Sequence, residues 1–147
     1  MNDMNQTEKP QNINMTLIPQ NIINSIANTV HQLAIEKGWY EGMPMGVDIP
    51  QETEDAFIER ACNNLHDEVS ELHTAWREGD LHYPCDKAEK MHDYGIPVLT
   101  ALEEELADII IRTLDNAAYL GVNIGKAIAA KHAFNTTRPH RHGGKKS

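Results

Sequence analysis

Two acidic stretches, 65–72 and 102–109, hold carboxylates at spacings that suit metal chemistry: Glu68 with Glu71, and Glu105 with Asp108. Residues three apart are neighbours on a helix face, where like charges repel. At 100° per residue Glu68 falls beside the stripe Leu65, Val69, Leu72 and Trp76, with Glu71 further round the same side. Glu105 and Asp108 stand in the same relation to Leu106, Ile109, Ile110, Thr113 and Ala117. If the two stripes pack together, four carboxylates converge at one shoulder of the contact. Packed anions are costly without a counter-ion. A hard divalent cation with oxygen ligands, Mg²⁺ with Mn²⁺ as a substitute, is the expected occupant.

The elements that must position these groups are helices. Apolar periodicity predicts a first helix over about Asn21–Lys37, with Ile22, Ile26, Val30, Leu33 and Ala34 on one side and Gly38 as the stop. His31 lies in it and reads first as a half-buried helix histidine, second as a substrate contact. The Gly- and Pro-rich connection 38–46 follows. Its Trp39 and Tyr40 suit a core role, or stacking of one of them on a base. A long second helix is expected over Thr53–Glu78, with the inward stripe Phe57, Ala61, Leu65, Val69, Leu72 and Trp76, ended by Gly79. Residues 80–98 read as a loop long enough to act as a lid. Thr100-Ala101-Leu102-Glu103 is a capping-box pattern that opens a third helix running to Tyr119 or Leu120. Arg112, four residues past Asp108, suits either an ion pair with it or a phosphate contact. A fourth helix is expected over Asn123–Phe134, and its line Ile124, Ile128, Lys131, Asn135 passes from apolar to polar on the inward side.

The chain has 147 residues, 40% of them hydrophobic, 24% charged and only 5% aromatic, with a formal net charge of −9. That size and composition predict one helical domain, expected over 20–135 between a loose lead-in, 1–19, and a basic tail, 136–147. All 22 acidic residues lie at or before Asp115, with seven of the basic ones; the other six basic residues follow it. An acidic body argues against general nucleic-acid binding, while the basic end suits phosphates. Two cysteines make no disulfide framework, no apolar run reaches the length of a membrane span, and the polar start lacks a signal-peptide core. The expectation is a soluble cytoplasmic protein with no membrane partner. Di-iron chemistry would need Glu-x-x-His pairs on long helices; Glu89–His92 is the single instance, inside the 80–98 loop.

Asp67-Glu68-Val69-Ser70-Glu71 followed by Glu105-Leu106-Ala107-Asp108, with Lys131 to Lys145 downstream, resembles the MazG-like all-α nucleoside triphosphate pyrophosphohydrolases. Asp67 stands where the family motif has its first glutamate, and the spacer between the motifs is longer than usual. The resemblance implies a four-helix-bundle-like fold completed by oligomerisation, as a homodimer or homotetramer. It implies cleavage of a nucleoside triphosphate to the monophosphate and pyrophosphate by water attack at the α-phosphorus. Glu68, Glu71, Glu105 and Asp108 would hold Mg²⁺, with Glu71, ahead of Glu68, as the base. Lys131, Asn135 and Arg138 would hold the phosphates or sugar, with Arg112, Trp39 and His31 as further contacts. The alternative is a non-catalytic helical interaction module with a solvated acidic face.

Overall fold

The computed structural model describes residues 15, 17–46 and 48–139. Its elements are α1 (Gln20–Glu36), α2 (Gln51–Glu78), α3 (Ala88–Asp93), α4 (Ala101–Tyr119) and α5 (Ile124–Thr136). The fold is all-α. Among the described residues the only β feature is an isolated bridge between Pro84 and Thr100. Two compact units divide the chain: Ser25–Val122, and a smaller one joining the chain through Asn24 to the chain from Asn123 onwards.

Local chemistry explains where the helices begin and end. Pro50 precedes α2, and Glu52 and Glu54 in its first turn complement the positive end of the helix dipole. Gly79 closes α2 in the left-handed region (φ 85°), letting the Asp80 N–H return 2.9 Å to the Ala75 carbonyl. The capping box of α4 is formed: Thr100 Oγ1 accepts from the Glu103 N–H, and the Glu103 carboxylate accepts from the Thr100 N–H at 2.8 Å. The 80–98 segment carries the short helix α3, which its six residues are too few to announce by periodicity.

In the larger unit the core is small and aromatic. Tyr40, Phe57, Ala61 and Tyr119 are buried together, with Ala34, Met43, Ile49 and Leu120 around them. Phe57 and Tyr119 lie 4.1 Å apart between ring centroids, and the Tyr119 hydroxyl donates to the Pro44 carbonyl at 3.1 Å. Tyr40 takes the core role that was open to Trp39 or Tyr40, whereas Trp39 is 62% exposed.

The contact between α2 and α4 differs from the expected one. Phe57 and Ala61 turn inward as the stripe predicts, but beyond them Glu68 is buried while Val69 and Trp76 are exposed. On α4, Glu104 and Glu105 are buried while Leu106 and Ile110 are exposed. The carboxylates therefore form part of the seam instead of flanking it, and a band of apolar side chains is left uncovered.

In the smaller unit, Asn123 caps α5 by accepting from the Lys126 N–H at 3.0 Å. The Asn24 side chain donates to Asn123 and accepts from the Gly125 N–H at 2.8 Å. A Cβ on Gly125 would stand 2.3 Å from the Gln20 carbonyl oxygen, so this approach requires glycine. The buried line of α5 is Gly125, Ala129 and Ala133. The expected inward line is corrected accordingly: Lys131 and Asn135 are exposed, because the small residues are the ones that permit close packing. The loose lead-in lies outside the described residues over 1–14 and at 16, and the basic tail from 140 onwards.

Candidate metal centre

Glu68 on α2 and Glu105 and Asp108 on α4 each bring a carboxylate oxygen within 4.8 Å of the other two. Glu68 and Glu105 are 5% and 8% exposed, far below what is usual for glutamate. Oε2 of Glu105 is buried and has no hydrogen-bond partner among the described residues. Such an atom is costly unless something positive reaches it. Burial pushes the Glu105 carboxyl from 4.5 up to about 7, and the charges of Glu71, Glu104 and Asp108 add to the shift. Burial likewise raises Asp108, helped by the charge of Glu68.

An octahedron of Mg²⁺–oxygen bonds spans about 4.2 Å between opposite ligands. The three oxygens lie within 4.8 Å of one another, so a small side-chain movement brings them onto one ion; the donors are all hard, and one oxygen has no partner among the described residues. These residues fit a divalent cation. Glu71, the fourth carboxylate of the expected set, is exposed and lies outside the three-oxygen cluster, although its charge acts on Glu105.

Two tethered cations flank the cluster. The Arg112 Nε donates to Glu68 Oε1, so the arginine pairs across the helix contact; the expected partner one turn back, Asp108, is not the residue it bonds. Its guanidinium also sits 5.5 Å over the Trp39 ring. On the other side the Lys87 ammonium donates to Glu104 Oε1. That bond holds Lys87 protonated well above the ordinary lysine range. Neither Lys87 nor Glu104 stood out in the sequence. Glu104 was one acid in a run of three, and a lysine in an irregular segment carries no spacing signal.

Two hollows lie nearby, one reaching the cluster through Arg112, which pairs with Glu68, and the other through Glu105. A cavity of about 300 Å³ is walled by Trp39, Tyr40, Phe57, Arg60, Asn64, Arg112, Asp115 and Asn116. A shallower groove of about 530 Å³ is lined by Glu71, Glu104, Glu105, Lys87 and the start of the 80–98 segment. His31 lies behind the cavity wall, its Nδ1 2.7 Å from Asp115 Oδ1 and its ring edge-on to Tyr40 at 4.8 Å. Burial, and then the Asp115 carboxylate, hold the Tyr40 hydroxyl well above the ordinary phenol range.

Glu68, Glu71, Glu105, Asp108, Arg112, Trp39 and His31 all belong to the Ser25–Val122 unit. Lys131, Asn135 and Arg138 belong to the smaller unit, all exposed, with the Lys131 ammonium 5.3 Å over the Phe134 ring. No family model matches the chain, nor does any curated protein or solved structure.

Proposed function

We propose that this protein hydrolyses a nucleoside triphosphate to the monophosphate and pyrophosphate in a Mg²⁺-dependent reaction. The observation that carries the reading is the Glu68–Glu105–Asp108 cluster, its glutamates buried and its aspartate half-buried, with a Glu105 oxygen that has no partner among the described residues. Mg²⁺, or Mn²⁺ in its place, supplies neutralisation of the triphosphate and polarisation of the α-phosphorus when bound. Glu68, Glu105 and Asp108 hold the ion, with Glu71 beside them. Glu68 is tied to Arg112, whereas Glu71 is exposed to water, which favours Glu71 as the base. It takes a proton from the attacking water as the new oxygen–phosphorus bond forms; the bond from the α-phosphorus to the bridging oxygen breaks and pyrophosphate leaves.

The Trp39 cavity suits the nucleoside. It offers an exposed indole face, the Asn64 and Asn116 amides, and Asp115 held in place by His31. Arg112, at its border with the carboxylates, is placed to meet a phosphate. Lys131, Asn135 and Arg138 remain phosphate or sugar ligands in this reading, supported by their chemistry alone. The MazG-like resemblance of the two acidic motifs points the same way.

The interaction-module alternative requires a solvated acidic face, and Glu68, Glu104 and Glu105 are buried. The exposed band Val69, Trp76, Leu106 and Ile110 supports assembly with further copies as a homodimer or homotetramer. No described helix is long and apolar enough to cross a membrane. With Cys62 and Cys85 both free, a cytoplasmic setting completes the proposal.

The test is a panel of nucleoside triphosphates assayed for pyrophosphate release with Mg²⁺ and with EDTA. Release is expected from at least one triphosphate, and Glu71→Ala or Asp108→Ala should abolish it while the protein stays folded. Undiminished hydrolysis by either variant removes that residue, and no release from any substrate removes the function.

A further inference from the structure

The Trp39 cavity carries two charges that hydrolysis itself does not use. Arg60, on α2, and Asp115, on α4, both line this hollow of about 300 Å³ within the Ser25–Val122 unit. Among the described residues the Arg60 guanidinium bonds only the Met43 sulfur, at 3.2 Å, and pairs with no carboxylate. Sulfur is a weak acceptor, so most of the guanidinium donors remain open. The cation lies 5.5 Å from the Phe57 ring centroid, a contact that holds it at the cavity wall.

Asp115 is held as an acceptor. His31 Nδ1 lies 2.7 Å from its Oδ1, and its side chain is 20% exposed. Arg60 and Asp115 form no ion pair with each other, yet both act on the Tyr40 hydroxyl: after burial, Asp115 raises it and Arg60 lowers it. A group that only donates and a group that only accepts therefore face one hollow without neutralising each other. An uncharged ring that satisfies both must present an acceptor pair beside a donor pair. Arg112 lies over the Trp39 ring, and Trp39 is still 62% exposed, so indole surface remains on which such a ring can stack.

Guanine meets that pattern. O6 and N7 are adjacent acceptors that match an arginine fork, and N1–H with the 2-amino group are adjacent donors that match a carboxylate. Cytosine offers an acceptor pair but a single amine, while adenine and uracil interleave donors with acceptors, so one of the two charges meets the wrong atom. Asn64 and Asn116, also in the wall, have amides that donate and accept, so they follow the base instead of choosing it. We infer that the cavity selects guanine: Arg60 donates to O6 and N7, Asp115 accepts from N1–H and the 2-amino group, and Trp39 stacks on the ring. This rests on the nucleotide reading above and names its substrate as a guanine nucleoside triphosphate.

Calorimetric binding of nucleoside monophosphates to the full chain, with Mg²⁺ at pH 7.5, tests base choice apart from hydrolysis. GMP is expected to bind at least about tenfold tighter than AMP and UMP, with CMP between them. IMP, which lacks the 2-amino group, should bind about tenfold weaker than GMP. Arg60→Met, at an exposed position, should weaken GMP by about tenfold and leave UMP unchanged; Arg60→Lys, a point charge without the fork, should not restore GMP. Asp115→Asn should erase the gap between GMP and IMP. Circular dichroism confirms folding of each variant. Equal binding of GMP and AMP overturns the proposal. So does an Arg60→Met protein that weakens every nucleotide alike, which would make Arg60 a phosphate contact. Either result in a protein that still releases pyrophosphate leaves the hydrolase reading standing. A GMP preference without pyrophosphate release from any triphosphate supports the base choice and removes the hydrolysis, and a protein that binds no nucleotide overturns both.

Discussion

Glu105→Gln should stabilise the metal-free protein, the reverse of what a buried substitution usually does. Glu105 is 8% exposed, one of its oxygens has no partner among the described residues, and its carboxyl is raised from 4.5 to about 7 by burial and by Glu71, Glu104 and Asp108. A raised carboxyl is protonated in both folded and unfolded chains below about pH 4.5, so it costs nothing there. Between about pH 4.5 and 7 the unfolded chain gives up its proton while the folded chain still holds it, so stability falls across that window and levels off above it. At face value the shift corresponds to roughly 3 kcal/mol. Solvent along the groove screens it, and about 1–2 kcal/mol is the working figure. Glutamine is isosteric, carries no charge, and its amide can donate to the neighbouring carboxylates. The expected outcome in EDTA at pH 8 is a melting temperature raised by about 3–6 °C, with the gap closing at pH 4.5. Mg²⁺ should stabilise the wild type and not the variant. A variant less stable than wild type in EDTA at pH 8, or a gap independent of pH, would refute the reasoning.

Three further outcomes follow from other contacts. Arg112→Ala strands the buried Glu68 carboxylate; breaking a fully buried pair costs about 3–5 kcal/mol, and with Arg112 33% exposed a loss of about 2 kcal/mol is expected in denaturant titration. An unchanged midpoint would show that Glu68 finds another partner. Gly125→Ala places a methyl 2.3 Å from the Gln20 carbonyl and should cost about 1–3 kcal/mol, read as faster proteolysis near the α5 start; wild-type resistance would mean the two segments part easily. Ile110→Asp, at a 56% exposed position, should lower the mass seen by sedimentation without unfolding the chain; an unchanged mass would remove this band from any interface.

Much of the fold was legible because its signals are local. Thr100 and Glu103 announce the start of α4, and Gly79 and Gly121 stand just past the ends of α2 and α4. The convergence of Glu68 with Glu105 and Asp108 was legible too, since helical spacing places each near an apolar stripe. The rotation of the helices was not. Periodicity says which face must be covered, not by what, and Val69, Leu106 and Ile110 present that face outward while Glu68, Glu104 and Glu105 turn in. Inward orientation of carboxylates depends on cations from elsewhere: Arg112 reaches across from α4, and Lys87 arrives from a strap whose path no periodicity encodes. On α5 the reading followed bulk, Ile124 to Ile128, whereas close approach at Gly125 selects the small residues.

The central claim is that these carboxylates are tolerable together because a divalent cation joins them. Its most direct measurement is a calorimetric titration of the full-length wild type with Mg²⁺ at pH 7.5, repeated on Asp108→Asn. The account predicts saturable uptake of one ion per chain by the wild type and loss of that uptake in the variant. A flat wild-type titration, or identical uptake by the two proteins, would contradict it.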